Sequence, residues 1–230
     1  MAGGMTTGEP IRCLILGGGG HARVLIDSLR AGEAAIPAAV LDADRSLWGK
    51  DVLGVPVRGG DDLMPEFMRQ GVQHFVVGVG GVADNEPRRR LFERAVACGL
   101  TPLTVRHPSA ICSRWATVGA GSVLYPAAVV NAGAVLGLNV IVNTGAIVEH
   151  DCIIGDHAHL ATGARLASTV RVGIGAHIGA GATVRQGVSI GERAVVGMGA
   201  VVVREVTAGT VVIGVPARPL RVVSLEERAT

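Results

Sequence analysis

Large rings are scarce in this chain: of 230 residues, only two Trp, one Tyr and three Phe are aromatic. A core assembled around stacked rings is excluded, and the interior has to be filled by aliphatic side chains. Charge is sparse too, at 17% of residues with a net of +2, and the longest basic run is Arg88–Arg90. That leaves no basic stripe to track a phosphate backbone, so no nucleic-acid partner is expected. The first residues, MAGGMTTGEP, lack both a basic start and an apolar h-region. No secretory signal is read there, and a cytoplasmic location is expected. The four cysteines, Cys13, Cys98, Cys112 and Cys152, show no paired spacing and read as reduced thiols. Between Trp115 and Val148 there is no charge at all, a length that a hydropathy window would flag as a membrane span. Asn131, Asn139, Asn143 and several glycines recur inside it at turn positions, so the stretch reads as protein wall and no membrane insertion is expected.

What the chain does have is a lattice. Stepping by six from Val118 to Val202 meets an aliphatic residue at all fifteen positions, and four residues after each lies a small or β-branched one. Neither a helix period of 3.6 nor a strand period of 2 produces this pattern. Hexads imply a parallel β-helix, three short strands to a coil, with the aliphatic residue filling the prism and the small one at the turn. Fifteen hexads amount to about five coils of 18 residues. After Val202 the lattice breaks into Arg204, Glu205 and a Pro-bearing segment that reads as a cap over the open end.

Ahead of the lattice, apolar runs alternate with helical patterns. Ile11 to Leu16 reads as a strand, and a helix with Val24, Leu25, Ile26 and Leu29 on its apolar face follows. Ala38 to Leu41 reads as a strand, Asp61 to Gln70 as a short helix and His74 to Val79 as a strand. A further helix starts near Asn85 and Pro87, with Leu91, Ala95, Val96 and Cys98 on its buried side, and Leu100 to Val105 closes the series as a strand. The expected architecture is α/β plus β: a small Rossmann-like parallel domain followed by a left-handed parallel β-helix. The expected divisions are a tail over residues 1–10, the α/β domain over 11–106, the β-helix over 114–206 and a cap over 207–230.

Two places carry chemistry. Gly17, Gly19 and Ala22 fit Gly-x-Gly-x-x-Ala between a strand and a helix, and Asp42 ends the next strand about 20 residues on, where a ribose hydroxyl is often held. Glycines admit a phosphate to the backbone, and the helix start supplies N–H donors. Only half of a dinucleotide fold is present, which favours a nucleotide-linked substrate over a redox cofactor. The second place is Glu149-His150-Asp151, where ionisable residues interrupt the smooth wall. The hexad count puts His150 at an outward corner, with Ala132 one coil before it and Ser168 one coil after. Histidine titrates near neutrality, and a neighbouring carboxylate can orient its ring, so His150 reads as a general base. His159 faces outward from a flat wall with His177 stacked above it at roughly 4.8 Å. Cys152 takes the small inward position, a packing role, and His157 reads as surface.

Leu16-Gly-Gly-Gly-Gly-His-Ala-Arg-Val, Asn143-Thr-Gly-Ala-Ile-Val-Glu-His-Asp-Cys-Ile-Ile-Gly-Asp and Ile213-Gly-Val-Pro-Ala-Arg together resemble the hexapeptide-repeat sugar acetyltransferases. The group resembled is that of sialic acid O-acetyltransferases and nucleotide-4-amino-sugar N-acetyltransferases, over nearly the whole chain. The resemblance implies an acetyl-CoA-dependent N-acetyltransferase acting on the 4-amino group of a nucleotide-linked sugar, such as GDP-perosamine or a UDP-4-amino sugar. Acetyl-CoA is the implied co-substrate, without a metal, and the implied assembly is a homotrimer. By the same resemblance His150 is the base and Asp151 its partner, although some relatives carry Glu after the base. Asn143 positions the amine; Gly19, Gly20, His21, Asp42 and Gly80 hold the nucleotide-sugar; His159, Ser168, Ala180 and Met198 line the acetyl-CoA track. A sugar O-acetyltransferase would keep these residues and change the nucleophile. From other classes come a zinc enzyme using His157, His159 and His177, and a non-catalytic scaffold.

Overall fold

The computed structural model describes residues 10–33, 35–81 and 83–222. The expected tail, apart from Pro10, and the end of the expected cap lie outside the described residues.

The strand β1 (Ile11–Leu16) is central in its sheet because its apolar residues face both ways, and Cys13 to Leu16 are completely buried. It pairs in parallel with β2 (Ala35–Leu41) and with β5 (His74–Val77). With β3 (Asp51–Val52), β4 (Val55–Gly59) and β6 (Thr101–Pro102), the order is β3-β4-β2-β1-β5-β6. The β3–β4 hairpin is absent from the sequence reading. Its two-residue turn is Leu53-Gly54, both at positive φ (49° and 75°), the geometry of a primed hairpin turn without the usual Asn-Gly or Asp-Gly signal. The first helix, α1 (Gly20–Gly32), buries Ala22, Leu25, Ile26 and Leu29 and leaves Val24 exposed.

Two more helices follow, α2 (Met64–Arg69) and α3 (Glu86–Ala97). The buried side of α3 differs from expectation. Arg88, Phe92 and Ala95 point inward, while Val96 and Cys98 are exposed. Position 96 falls about 80° round the helix from position 88, so once Arg88 is the buried side, Val96 turns out.

The lattice folds as anticipated into a parallel β-helix with three walls. Wall I stacks Val105–Arg106, Val123–Leu124, Ile141–Val142, His159–Leu160, His177–Ile178, Val195–Val196 and Thr210–Ile213. Wall II runs from Ile111–Cys112 to Val201–Val202, and wall III from Thr117–Val118 to Ser189–Ile190. Inward residues from Leu124 to Val202 are at most 3% exposed and form one continuous core with the small turn residues.

The prism begins earlier than residue 114. Leu100 to Val105 is not one strand: Thr101–Pro102 pairs with β5, whereas Val105–Arg106 pairs with Val123–Leu124. Arg106 takes the register position of an inward aliphatic and turns its guanidinium to the Ala110 carbonyl at the open end. That substitution hid the first coil from the hexad count. At the other end Arg218–Val222 returns antiparallel along Thr210–Ile213.

The α/β unit sits on wall I. Val105, Val123, Tyr125 and Ile141 share one buried cluster with Leu25 and Leu29 of α1. Each such side chain removed from water contributes roughly 1.5–3 kcal/mol. Among the described residues no helix is long and apolar enough to cross a membrane.

Candidate active site

Each corner between walls II and III is a tight turn, and His150-Asp151 forms one of them, with both side chains more than half exposed. Asp151 takes a left-handed conformation (φ 59°), and its N–H is held by the Ala132 carbonyl one coil below. That conformation swings its carboxylate back to the preceding ring, and Oδ2 lies 2.8 Å from His150 Nδ1. A carboxylate can only accept here, so Nδ1 carries the proton and Nε2 presents a lone pair outward. Gly133 lies directly beneath, where a Cβ would meet Asp151 Oδ1. Glu149 takes no part in orienting the ring. Its Oε2 accepts from Asn131 Nδ2 at 2.9 Å and from the His150 backbone N–H at 3.3 Å.

On wall I the register delivers the histidine column, with His159 pairing His177 across the parallel ladder. Their rings meet edge to face at 5.0 Å, and the His21 ring lies 6.2 Å from His159. His159 Nδ1 stands 3.0 Å from the Gly81 carbonyl, which fixes the proton on Nδ1 and leaves Nε2 facing Asn143 Nδ2 at 3.4 Å. Burial, reinforced by the neighbouring His177, His21 and Arg88, depresses the His159 pKa to about 2. Burial also brings His177 to about 4, and burial with Arg88 does the same for His21. All three rings are therefore neutral over the working range.

At the glycine loop, Gly17 has φ 102° and packs on Val79, while Gly19 and Gly20 have nothing within 4 Å of a Cβ position. They open the N-terminus of α1 to a ligand. Both oxygens of Asp42 are engaged, Oδ2 by the Gly18 N–H at 2.5 Å and Oδ1 by the Asp44 N–H at 2.8 Å. Its carboxylate thus holds the loop in shape. Gly80 packs over the His21 ring, whose Nε2 bonds the Tyr125 hydroxyl at 2.8 Å.

These residues assemble as two groups. His21, Gly80, His159 and Asn143 come together on wall I and its corner with wall II, beside Gly19, Gly20 and Asp42. Ala180 and Met198 lie higher on that same corner, Met198 82% exposed. His150, Asp151 and Ser168 lie on the corner between walls II and III. Among the described residues nothing of the α/β unit bonds to His150: its ring pairs with Asp151, its N–H with Glu149, and its carbonyl accepts from the Thr169 N–H.

Sequence reasoning missed Tyr125, Arg88, Gly81 and Asn139. Tyr125 was findable, since the chain's one tyrosine stands one coil below Asn143. Arg88 is wholly buried and bonds the Asn139 carbonyl, and burial lowers its pKa to about 9. His157 is not surface: it is 7% exposed, accepts from Asn139 Nδ2 at 2.9 Å and meets the Phe92 ring edge-on. It sits at the corner between walls III and I, so the three histidines of the zinc alternative do not converge. Among the described residues no three His, Cys, Asp or Glu side chains are placed to hold a metal. A cavity of about 390 Å³ beside α3 is lined by Asn85, Arg90, His157 and Arg193 and touches neither His150 nor the glycine loop.

An exposed histidine–carboxylate pair on one corner of a hexapeptide prism, whose wall I packs against an α/β unit with an open glycine loop, defines a hexapeptide-repeat acyltransferase. Family models agree: that of the PglD N-terminal domain matches residues 12–95, and that of the hexapeptide repeat of succinyl-transferase matches residues 169–204. Among solved structures, the chain is similar to perosamine N-acetyltransferase from Caulobacter crescentus, crystallised with CoA and GDP-perosamine as a histidine-to-asparagine variant. The TM-score is 0.86 at 38% identity, over 95% of this chain and 100% of that one. The acetyltransferase domain of PglB from Neisseria gonorrhoeae FA1090 gives 0.82 at 36% identity, over 91% and 99%. WeeI from Acinetobacter baumannii AYE gives 0.79 at 27%, over 91% and 100%. A search among curated proteins gives no match. The chain belongs to the family of sialic acid O-acetyltransferases and nucleotide-4-amino-sugar N-acetyltransferases.

Proposed function

We propose that this acyltransferase moves the acetyl group of acetyl-CoA to the 4-amino group of a nucleotide-linked amino-deoxy sugar, in the cytoplasm and as a homotrimer. The observation that carries the reading is the His150–Asp151 pair, with Nδ1 held at 2.8 Å and Nε2 left bare. Similarity to the GDP-perosamine enzyme over 95% of the chain supports the acceptor class.

His150 Nε2 takes a proton from the attacking amine as its nitrogen adds to the thioester carbonyl. A backbone N–H near the thioester stabilises the oxyanion. Collapse of the tetrahedral species expels the CoA thiolate, which recovers the proton from His150. In this reading Asn143 positions the amine, and Gly19, Gly20, His21 and Gly80 hold the nucleotide-sugar with Asp42 bracing the loop. His159, Ser168, Ala180 and Met198 line the acetyl-CoA track. His159 Nε2 is an acceptor that Asn143 reaches only at 3.4 Å, so an amide N–H of the pantetheine arm can take that place.

The two groups lie on different corners of one prism, which supports shared sites: the base of one subunit serves the glycine loop of its neighbour. Thiol release from acetyl-CoA, measured against a panel of nucleotide-linked 4-amino sugars, tests the reading. Turnover of an amine is expected, and His150→Ala should lower kcat by about 10²–10⁴-fold. Activity of that variant within about tenfold of the parent would remove His150 from the mechanism. Turnover on hydroxyl acceptors only would replace the N-transferase with an O-transferase.

A further inference from the structure

Past Asp42, beyond the carboxyl ends of β2 and β4, stands Trp48. It is one of only two tryptophans in the chain, yet it is 40% exposed. Its place is nevertheless defined. Nε1 donates to the Asp42 carbonyl at 2.8 Å, and the Arg45 guanidinium sits 5.4 Å over the ring. The edge of the indole lies beside Gly60, just beyond β4, where a Cβ would stand at van der Waals distance, 3.7 Å. Asp44 caps the single turn Arg45–Leu47 that delivers the ring, by accepting from the Ser46 N–H at 2.8 Å.

In open parallel sheets, ligands occupy the crevice beyond the carboxyl ends of the strands. Here the open glycines Gly19 and Gly20, at the start of α1, mark where phosphates approach. A nucleoside extending from them passes Asp42, whose two oxygens are already bonded to Gly18 and Asp44. Recognition beyond that point falls to a flat, anchored, partly open ring with a cation over it. Any nucleobase offers a π face to such a ring.

We propose that Trp48, backed by Arg45, is the stacking platform for the base of the nucleotide-linked substrate. The inference rests on the nucleotide-sugar reading above and assigns its base-binding residue. The second tryptophan, Trp115, lies on the prism and is 69% exposed. Trp115→Phe therefore leaves Trp48 as the only indole fluorophore of the full-length chain.

In that background, titration with guanosine or uridine diphosphate is expected to quench the fluorescence, while inorganic pyrophosphate, which has no base, binds without quenching. In the otherwise native chain, Trp48→Leu should weaken nucleoside diphosphate binding about tenfold, as loss of one stacked base does. Trp48→Phe, which keeps an aromatic face without the Nε1 bond, should stay within about threefold. Pyrophosphate affinity should be the same in all of them. Nucleoside diphosphate affinity unchanged by Trp48→Leu, or weakened equally for pyrophosphate, overturns the assignment. If the parent binds pyrophosphate and nucleoside diphosphates equally, with no quench, the base is not read here although the phosphates are. If it binds neither, the nucleotide-sugar reading itself falls, and the platform with it.

Discussion

His150 shows how little a single residue type conveys without its neighbours. Two carboxylates flank it in sequence, and sequence cannot say which one orients the ring. The fold decides through backbone conformation. Asp151 sits at φ 59° and turns back onto Nδ1, whereas Glu149 belongs to the column above Asn131 and bonds downward. Glu149 is thus a positioning residue that ties the His150 backbone to the coil below. Glu149→Ala is expected to reduce kcat about tenfold, in the lower range for a misplaced catalytic group, with KM for acetyl-CoA little changed. Glu149→Gln keeps an oxygen for both the Asn131 and His150 N–H groups and should retain activity within about threefold. Steady-state kinetics of the two variants check this, and equal losses in both would make the charge, rather than the bond, the operative feature.

At the scale of the element, the unit is the corner turn repeated up the prism. Gly133, at φ 73°, supports Asp151 from below, and a methyl group there would displace the carboxylate oxygen. Gly133→Ala should therefore lower kcat severalfold while costing about 1 kcal/mol of stability for the left-handed conformation. Gly155 is of another kind: a Cβ would come within 2.7 Å of the Ile174 backbone nitrogen in the next coil. Backbone cannot rotate away as a side chain can, so Gly155→Ala should destabilise by about 1–3 kcal/mol, seen as an earlier urea midpoint. The lattice itself was legible because the period-six spacing is written directly in Val, Leu and Ile. The first coil was not, since Arg106 replaces an inward aliphatic. Nor was the buried side of α3, because an arginine in that position reads as solvent-facing. Arg88 is buried by the prism packing on it, a tertiary fact with no local signature.

For the molecule as a whole, the buried histidines link stability to pH. Unfolded histidines bind protons near 6.5, while native His21 and His177 do so near 4 and His159 near 2. Below pH 6.5 the unfolded chain holds more protons, so this stability is complete above that pH and is lost as pH falls toward 4. Each histidine contributes a slope approaching about 1.4 kcal/mol per pH unit. Urea unfolding between pH 7 and pH 5 should show the loss; His157, which burial also lowers, adds to the slope, so His177→Phe should reduce it by about a quarter to a third. The proposed sharing of the site between subunits gives a second expectation. A Gly19→Val chain should fold, since apart from its chain neighbours no atom lies within 4 Å of that Cβ, yet on the proposed reading it blocks the phosphate approach. Co-expressed with His150→Ala chains, it should regain a substantial part of the parent activity through sites built from one intact half of each. Mixed assemblies as inactive as either variant would place both halves in one chain.

Stacking one coil on the next fixes height along the prism in graduations of about 4.8 Å. Corner residues such as His150 and Ser168 can change in chemistry by point substitution, but their vertical separation moves only in whole graduations, through gain or loss of 18 residues. Reach along an edge is thus digital. Fine adjustment to donors or acceptors of different length is left to the loops of the α/β unit, which are the analogue part of the molecule.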